Sequence, residues 1–297
     1  MAAKDKKPRE KPNKNNGKAV AAPLLAWYDR HARVLPWRAR KGAAADPYAV
    51  WLSEIMLQQT RVETVVAYYQ RFLKAFPDVR SLARASEDRV LGQWSGLGYY
   101  RRARLLHQGA KAVMASHGGQ VPRDAAARLA LPGIGRYTAG AIGSIAFGLR
   151  EPIVDGNVAR VLTRLYQIES PLGRADTERA LWERAARWAD DSDPGAINQG
   201  LMELGATVCT PKKPDCGACP LRAMCQGRAV AETLPTPRAR VKKKRVQLAA
   251  VVATMGDEVW LVRRTEALHG RLWSLPRGET PAGDAPAACR RVRKLSL

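Results

Sequence analysis

The stretch from Asp124 to Arg160 reads DAAARLALPGIGRYTAGAIGSIAFGLREPIVDGNVAR, and its punctuation decides the fold class. Small and apolar residues from Asp124 to Leu131 predict a helix that Pro132 stops. A tight Gly133-Ile134-Gly135 turn follows, and Arg136-Tyr137-Thr138 opens a second helix that runs towards Phe147. Two glycines without Cβ atoms let another backbone come close and leave the turn's N–H groups open. Main-chain donors at a helix start suit a nucleic-acid phosphate and need no base-specific side chain. The plainer reading is an αα-hairpin with a Gly turn, and GxG alone decides nothing. The longer pattern L-P-G-I-G-x-x-T-A fixes stop, turn and restart together.

Twenty residues past Gly135, Asp155-Gly156-Asn157 precedes the amphipathic segment VARVLTRLY. By itself an acid beside a Gly turn reads best as a helix N-cap. Hairpin and V-D-G-N-V taken together resemble the helix-hairpin-helix DNA glycosylases of the endonuclease III superfamily. That resemblance implies a hairpin gripping DNA phosphates through Gly133 and Gly135, with Asp155 in the active site.

Composition agrees with a polyanionic partner. The 297 residues carry 50 Lys and Arg against 27 Asp and Glu, a formal charge of +23. Residues 1–20 and 238–245 account for +11, so the rest of the chain keeps +12, too much to be a solvated tail alone. No run of about eighteen apolar residues appears, and the N-terminal tail lacks the apolar core of a signal peptide. A cytoplasmic, nucleoid-associated monomer with no membrane partner is expected. The expected domains are a disordered basic tail over 1–20, a helical domain over 21–228, a basic linker over 229–245 and a strand-rich segment over 246–297.

In chain order, LLAWYDRHARV predicts a short amphipathic helix ending at the corner Leu35-Pro36-Trp37-Arg38. Asp46 then caps PYAVWLSEIMLQ, with Pro47 at its first position. Glu54 sits there among Trp51, Leu52, Ile55 and Met56, and periodicity alone makes it a rim residue facing water. Thr60-Arg61-Val62-Glu63 has the form of a capping box, so a new helix begins near Gln58-Gln59. The string W-L-S-E-I-M-L-Q-Q-T is similar, residue for residue, to the signature of the MutY adenine glycosylase family within that superfamily.

Residues 61–120 read as three helices, broken at Phe76-Pro77-Asp78, Trp94-Ser95-Gly96-Leu97-Gly98 and His117-Gly118-Gly119. Tyr99-Tyr100-Arg101-Arg102 at a Gly-rich helix start suits base wedging with phosphate contact. A buried Tyr pair with surface arginines is about as good a reading. GLGYYRRAR resembles the family's minor-groove wedge, which implies that Leu97 and Gly98 shape a loop whose Tyr99 enters the base stack. Two more helices follow between Asp176 and Cys209, the second reading PGAINQGLMELGATVC.

Of five cysteines, four come as Cys209-x6-Cys216-x2-Cys219-x5-Cys225. Four thiolates in one short loop are a strong metal signal, and spacing alone allows zinc or an iron–sulfur cluster. The 6-2-5 spacing at the end of a helical domain resembles the superfamily's 4Fe-4S loop. Beyond a Pro- and Lys/Arg-rich linker, VQLAAVVATM and EVWLVRR predict two strands around Met255-Gly256-Asp257. The last residues, APAACRRVRKLSL, show no clear strand or helix face, and Cys289 reads as an ordinary free thiol. This end resembles the start of the family's Nudix-like domain that recognises 8-oxoguanine. Only 52 residues remain from Val246, against the roughly 110–140 of a complete module, so a truncated α/β segment is expected.

The fold expected is therefore all-α, a helix-hairpin-helix glycosylase domain with a cluster loop, followed by that segment. Excision of a purine needs a flipped base, an acid for the leaving group and an anion for the oxocarbenium-like sugar. The resemblance implies Glu54 as the acid, Asp155 as the anion, and Asn157 as a support. It implies Trp37, Arg38 and Gln199 around adenine, and Gln58, Gln59 and Thr60 against the opposite strand. Tyr137 stands where bifunctional relatives carry a lysine, and a phenol forms no Schiff base. The reaction implied is hydrolysis of adenine opposite 8-oxoguanine or guanine in double-stranded DNA, leaving the strand intact. The alternatives are a pyrimidine-lesion glycosylase/lyase, which Tyr137 argues against, and a non-catalytic DNA-binding module, which the two acids argue against.

Overall fold

A computed structural model describes residues 16–39, 43–191, 193–238, 249–250, 252–255, 258–263, 273–278 and 290–292. Of the tail expected to be disordered over 1–20, residues 16–20 instead begin the first helix; residues 1–15, most of the basic run 238–245, the turn at Gly256-Asp257 and Cys289 lie outside the described residues. The chain divides into two units, residues 1–239 and 240–297.

The first unit is helical, as expected. Its helices are α1 (Asn16–His31), α2 (Pro47–Leu57), α3 (Val62–Ala75), α4 (Val79–Arg84), α5 (Glu87–Trp94) and α6 (Arg101–Ser116). Then come α7 (Ala125–Leu129), α8 (Arg136–Ala141), α9 (Gly156–Leu165), α10 (Ala175–Ala189) and α11 (Pro194–Thr207). Residues 61–120 thus hold four helices and not three. The extra break falls at Ala85-Ser86, where the Ser86 hydroxyl caps α5 through the Arg89 amide. The capping box at Thr60 does not form either. α3 starts after Arg61, which puts Thr60 one residue before the N-cap, and no side chain caps the helix; the Thr60 hydroxyl accepts from Arg102 instead.

Two apolar cores build this unit. One packs Trp51, Phe72, Phe76, Leu82, Trp94 and Leu106 around α2 to α6. The other packs Leu24, Trp27, Leu162, Leu181, Trp188 and Leu201 around α1 and α9 to α11. The hairpin helix bridges them: Ala139 belongs to the first core and Ala141 to the second. After Ala141 it continues as a π-helical turn over Ile142–Ala146.

Within the hairpin, Asp124 caps α7 through the Ala127 amide. Gly133 takes φ +79°, and a Cβ there would meet the Leu105 Cβ at 2.7 Å. Gly133→Ala is therefore expected to lose roughly 2 kcal/mol from combined strain and clash. That corresponds to a Tm drop of roughly 5 °C in thermal unfolding, and an unchanged Tm would refute the contact.

The second unit has short antiparallel strands: β1 (Ala249–Ala250) pairs with β5 (Arg277–Gly278), and β3 (Glu258–Arg263) pairs with β2 (Thr254–Met255) and β4 (Trp273–Ser274). The two strands expected here, β2 and β3, pair antiparallel in the register Met255↔Glu258. The final segment differs from expectation. Arg290–Val292 form β6 against Val259–Leu261 of β3, a pairing supplied by a strand about thirty residues away that leaves no local periodicity.

Candidate active site

Glu54 overturns the rim reading. It is 5% exposed, because α2 is buried on nearly every side, from Val50 through Met56. A helix without a wet face gives its one acid no rim to occupy. Burial pushes the Glu54 carboxyl up to about 7; the hydrogen bond from Tyr137 and the charge of Arg38 oppose this, and the nearby Asp155 adds to it. The Tyr137 hydroxyl donates to Glu54 Oε2 at 2.7 Å. Met202 Sδ lies 3.3 Å from the same hydroxyl. Burial, and then the charge of Glu54, raise Tyr137 well above an ordinary phenol, so it stays a neutral donor.

Asp155 is the N-cap of α9, as its local sequence reads: its Oδ1 accepts from the Val158 amide at 2.7 Å. Its Oδ2 accepts from Asn157 Nδ2 at 3.1 Å. Burial still raises the carboxyl above its usual range, against the hydrogen bonds of Val158 and Asn157 and the charge of Arg160. Glu54 comes from the first core and Asp155 from the second, and Tyr137 on the bridging helix stands between. The seam between two separately packed cores is what brings the carboxyls together.

Further residues hold this centre. Arg160 donates to Asn157 Oδ1 at 2.8 Å, to the Gly205 carbonyl at 2.7 Å and to the Cys209 carbonyl at 2.7 Å. A Cβ at Gly205 would lie 2.7 Å from the Asn157 Cβ, so α11 touches the active-site turn because that residue is glycine. Arg38 Nη2 donates to Glu203 Oε2 at 2.7 Å, and its guanidinium lies over the Tyr28 ring. Arg33 Nε grips the other Glu203 oxygen at 2.7 Å. Burial works against the charged Glu203 carboxyl, but bonds from the two arginines outweigh it and hold the group below its usual range. Trp37 packs edge-on to Tyr69 with ring centroids 5.4 Å apart. Gln199 lies on α11, half-buried, with its amide on the Gly195 carbonyl at 3.3 Å.

Sequence reasoning missed Glu203, Met202, Arg160 and Arg102. Each has at least one partner forty or more residues away in sequence. Only their apolar or helical surroundings are visible in sequence. The GLGYYRRAR segment inverts the plain reading: Tyr99 is 60% exposed, whereas Arg102 is 9% exposed. Leu97 is buried beneath the loop. Gln58 and Thr60 are half-buried and Gln59 is exposed. Gly135 is exposed at the hairpin tip with open space around its Cα.

Cys209, Cys216, Cys219 and Cys225 are free thiols that line one cavity beside Arg164 and Val208. Among the described residues no three His, Cys, Asp or Glu side chains converge on a single metal ion. Four thiols lining one cavity can ligate a polynuclear cluster. Burial, with Cys209, Cys225 and Cys216 adding to it, pushes Cys219 up to about 11. A buried thiol of this kind becomes a thiolate ligand more readily beside positive charge. The Arg164 guanidinium already lies 3.3 Å from Cys209 Sγ.

Residues 52–187 match the family model of the HhH-GPD superfamily base excision DNA repair proteins, and residues 209–225 match the iron-sulfur binding domain of endonuclease III. The chain is 48% identical over 215 residues to the adenine DNA glycosylase of Homo sapiens, covering 71% of this chain and 39% of that one. It is 37% identical over 246 residues to the adenine DNA glycosylase of Buchnera aphidicola subsp. Acyrthosiphon pisum, covering 82% and 69%. The chain thus spans about two-fifths of the length of the mammalian relatives it matches. Among solved structures, a thermostable thymine-DNA glycosylase superposes with a TM-score of 0.62 at 29% identity, over 72% of this chain and 96% of that one. A non-covalent endonuclease III–DNA complex superposes with a TM-score of 0.57 at 18% identity, covering 73% and 97%, which shows the shared fold. The cysteine loop is accordingly the seat of a 4Fe-4S cluster. On these matches and this geometry, the chain belongs to the adenine DNA glycosylase family of the helix-hairpin-helix base excision repair superfamily.

Proposed function

We propose that this protein excises adenine paired with 8-oxoguanine or guanine in double-stranded DNA, by hydrolysis of the N-glycosidic bond. The observation that carries the reading is a buried carboxyl raised to about 7, bonded to a neutral phenol and facing a second carboxyl. Two acids whose environments divide a proton-donating from a charge-stabilising task are what purine hydrolysis requires.

In this reading, Glu54 carries its proton near neutrality and delivers it to the leaving purine. Asp155, held by the Val158 amide and Asn157, stays negative and faces the sugar cation. Tyr137 orients Glu54 and offers no amine, so the product is an abasic site in an unbroken strand. Arg38 and Trp37 line the base pocket with Gln199. Gly133 and Gly135 hold the backbone, and Gln58, Gln59, Thr60 and Tyr99 engage the stack. Cys209, Cys216, Cys219 and Cys225 ligate the cluster, which braces the loop after α11 and takes no part in the glycosidic step. The second unit is read as the beginning of a Nudix-like module that contributes to 8-oxoguanine discrimination. The enzyme acts as a monomer on the chromosome in the cytoplasm. No helix among the described residues is long and apolar enough to cross a membrane.

The test is single-turnover cleavage of labelled duplexes with adenine opposite 8-oxoguanine, guanine or thymine, with thymine opposite guanine alongside. Each product is analysed with and without alkali. Breaks that appear only after alkali, fastest opposite 8-oxoguanine, are expected. Strand breaks without alkali would point to a lyase, and excision of thymine in preference to adenine would overturn the substrate assignment.

A further inference from the structure

The turns carrying Gln59 and Tyr99 lie forty residues apart in sequence, and one buried side chain holds both. Arg102 stands at the start of α6. Its Nη1 donates to the carbonyls of Ile55 at 2.8 Å and Met56 at 2.9 Å, and also to that of Gln58. The Ile55 and Met56 carbonyls lie in the last turn of α2, where helix carbonyls lose their intrahelical partners. Its Nη2 donates to Thr60 Oγ1 at 3.1 Å and lies 3.4 Å from the Gly98 carbonyl. The guanidinium sits over the Trp94 ring at 5.4 Å and the Tyr99 ring at 5.3 Å. The Trp94 indole N–H also donates to the Gly98 carbonyl, at 3.0 Å.

Each turn held in this way contains a non-glycine residue in left-handed backbone, with φ +58° at Gln59 and +49° at Tyr99. Both residues are exposed. Such conformations are strained and persist only where their surroundings over-determine them. Here the over-determination comes from one guanidinium, whose planar fork reaches carbonyls in two directions at once.

We propose that Arg102 is a positioning residue that locks the Gln58–Thr60 turn and the Tyr99 loop into one rigid two-pronged wedge. Through the last carbonyls of α2 it also ties that wedge to the helix presenting Glu54. The role rests on the glycosylase reading, since a wedge matters only where a base is flipped. Opening a stacked pair costs free energy, and least where the pairing is already lost. Losing the brace should therefore slow excision from an intact pair and spare a site already opened.

The experiment compares wild type with Arg102→Lys, which keeps the charge and loses the fork, with cluster absorbance near roughly 400 nm as the folding control. Single-turnover excision at saturating enzyme is measured for adenine opposite 8-oxoguanine and for adenine opposite an abasic site. The expected result is a loss of roughly 30-fold on the first duplex and less than about 5-fold on the second. Equal losses on both duplexes would make Arg102 a merely structural residue, and no loss on either would overturn the clamp. Trp94→Phe, which removes the indole bond to Gly98 and shrinks the buried ring beneath Arg102, is expected to show the same substrate pattern at smaller size. It decides the matter if Arg102→Lys fails to fold. Excision by wild type from neither duplex would sink the glycosylase reading and the clamp with it; an active wild type with an unaltered Arg102→Lys sinks the clamp alone.

Discussion

Glu54→Gln is expected to excise adenine roughly 10³-fold more slowly than wild type, within the range a positioned general acid supplies, and yet to be the more stable protein above neutral pH. The carboxyl rises from 4.5 to about 7 in the folded protein, chiefly through burial. Between those values the folded chain holds a proton that the unfolded chain has released. The stability this contributes is complete below about 4.5 and is lost as pH rises through about 7. The span corresponds to about 3 kcal/mol, which a neutral glutamine does not lose. The Tm of Glu54→Gln relative to wild type should therefore climb between pH 4.5 and 7 and level off above. A difference independent of pH would show that Glu54 is not buried as a neutral acid. The wild-type excision rate should fall above about pH 7, as the acid loses its proton, while the residual rate of the variant stays flat.

Asp155→Asn separates two roles that one side chain fills. Asparagine caps a helix about as well as aspartate, so the bond from the Val158 amide can persist. What is lost is the charge and the bond from Asn157. Asn157 cannot turn its amide over without giving up Arg160, which donates to its Oδ1. A stability loss of about 1 kcal/mol follows for that one hydrogen bond, seen as a small drop in Tm. Excision should fall far more, by roughly 10²- to 10³-fold, the scale of removing a preorganised group that meets developing charge. Removing this charge also relieves Glu54, whose rise Asp155 assists. The alkaline limb of the pH–rate profile should then move to lower pH. A rate within about fivefold of wild type would make Asp155 a cap and nothing more.

How far the molecule could be read from its sequence differs between these two acids. Asp155 announces itself through the rules of a helix start, since the chain needs an acceptor for the Val158 amide within three residues. The hairpin is equally local, set by Pro132 and by the positive φ of Gly133. The cysteine spacing is local too, because four ligands within seventeen residues can wrap one group wherever the loop is placed. Backbone rules and short-range ligand geometry survive without knowledge of the fold, and so the sequence alone determined these features.

Glu54 shows the other case. Hydrophobic periodicity orients a helix only when one face stays wet, and α2 has almost none. Whether its acid met water or a phenol depended on Tyr137, 83 residues away. Arg102 reads as a surface cation until the end of α2 and the Tyr99 loop fold around it, and Glu203 carries no sequence signal until Arg33 and Arg38 arrive from the N-terminal corner. β6 likewise takes its identity from β3. For the three side chains, a charged group took its partner from a distant segment, and its burial accompanies that pairing. Charge placement of this kind is a property of packing, and only the tertiary structure decided it.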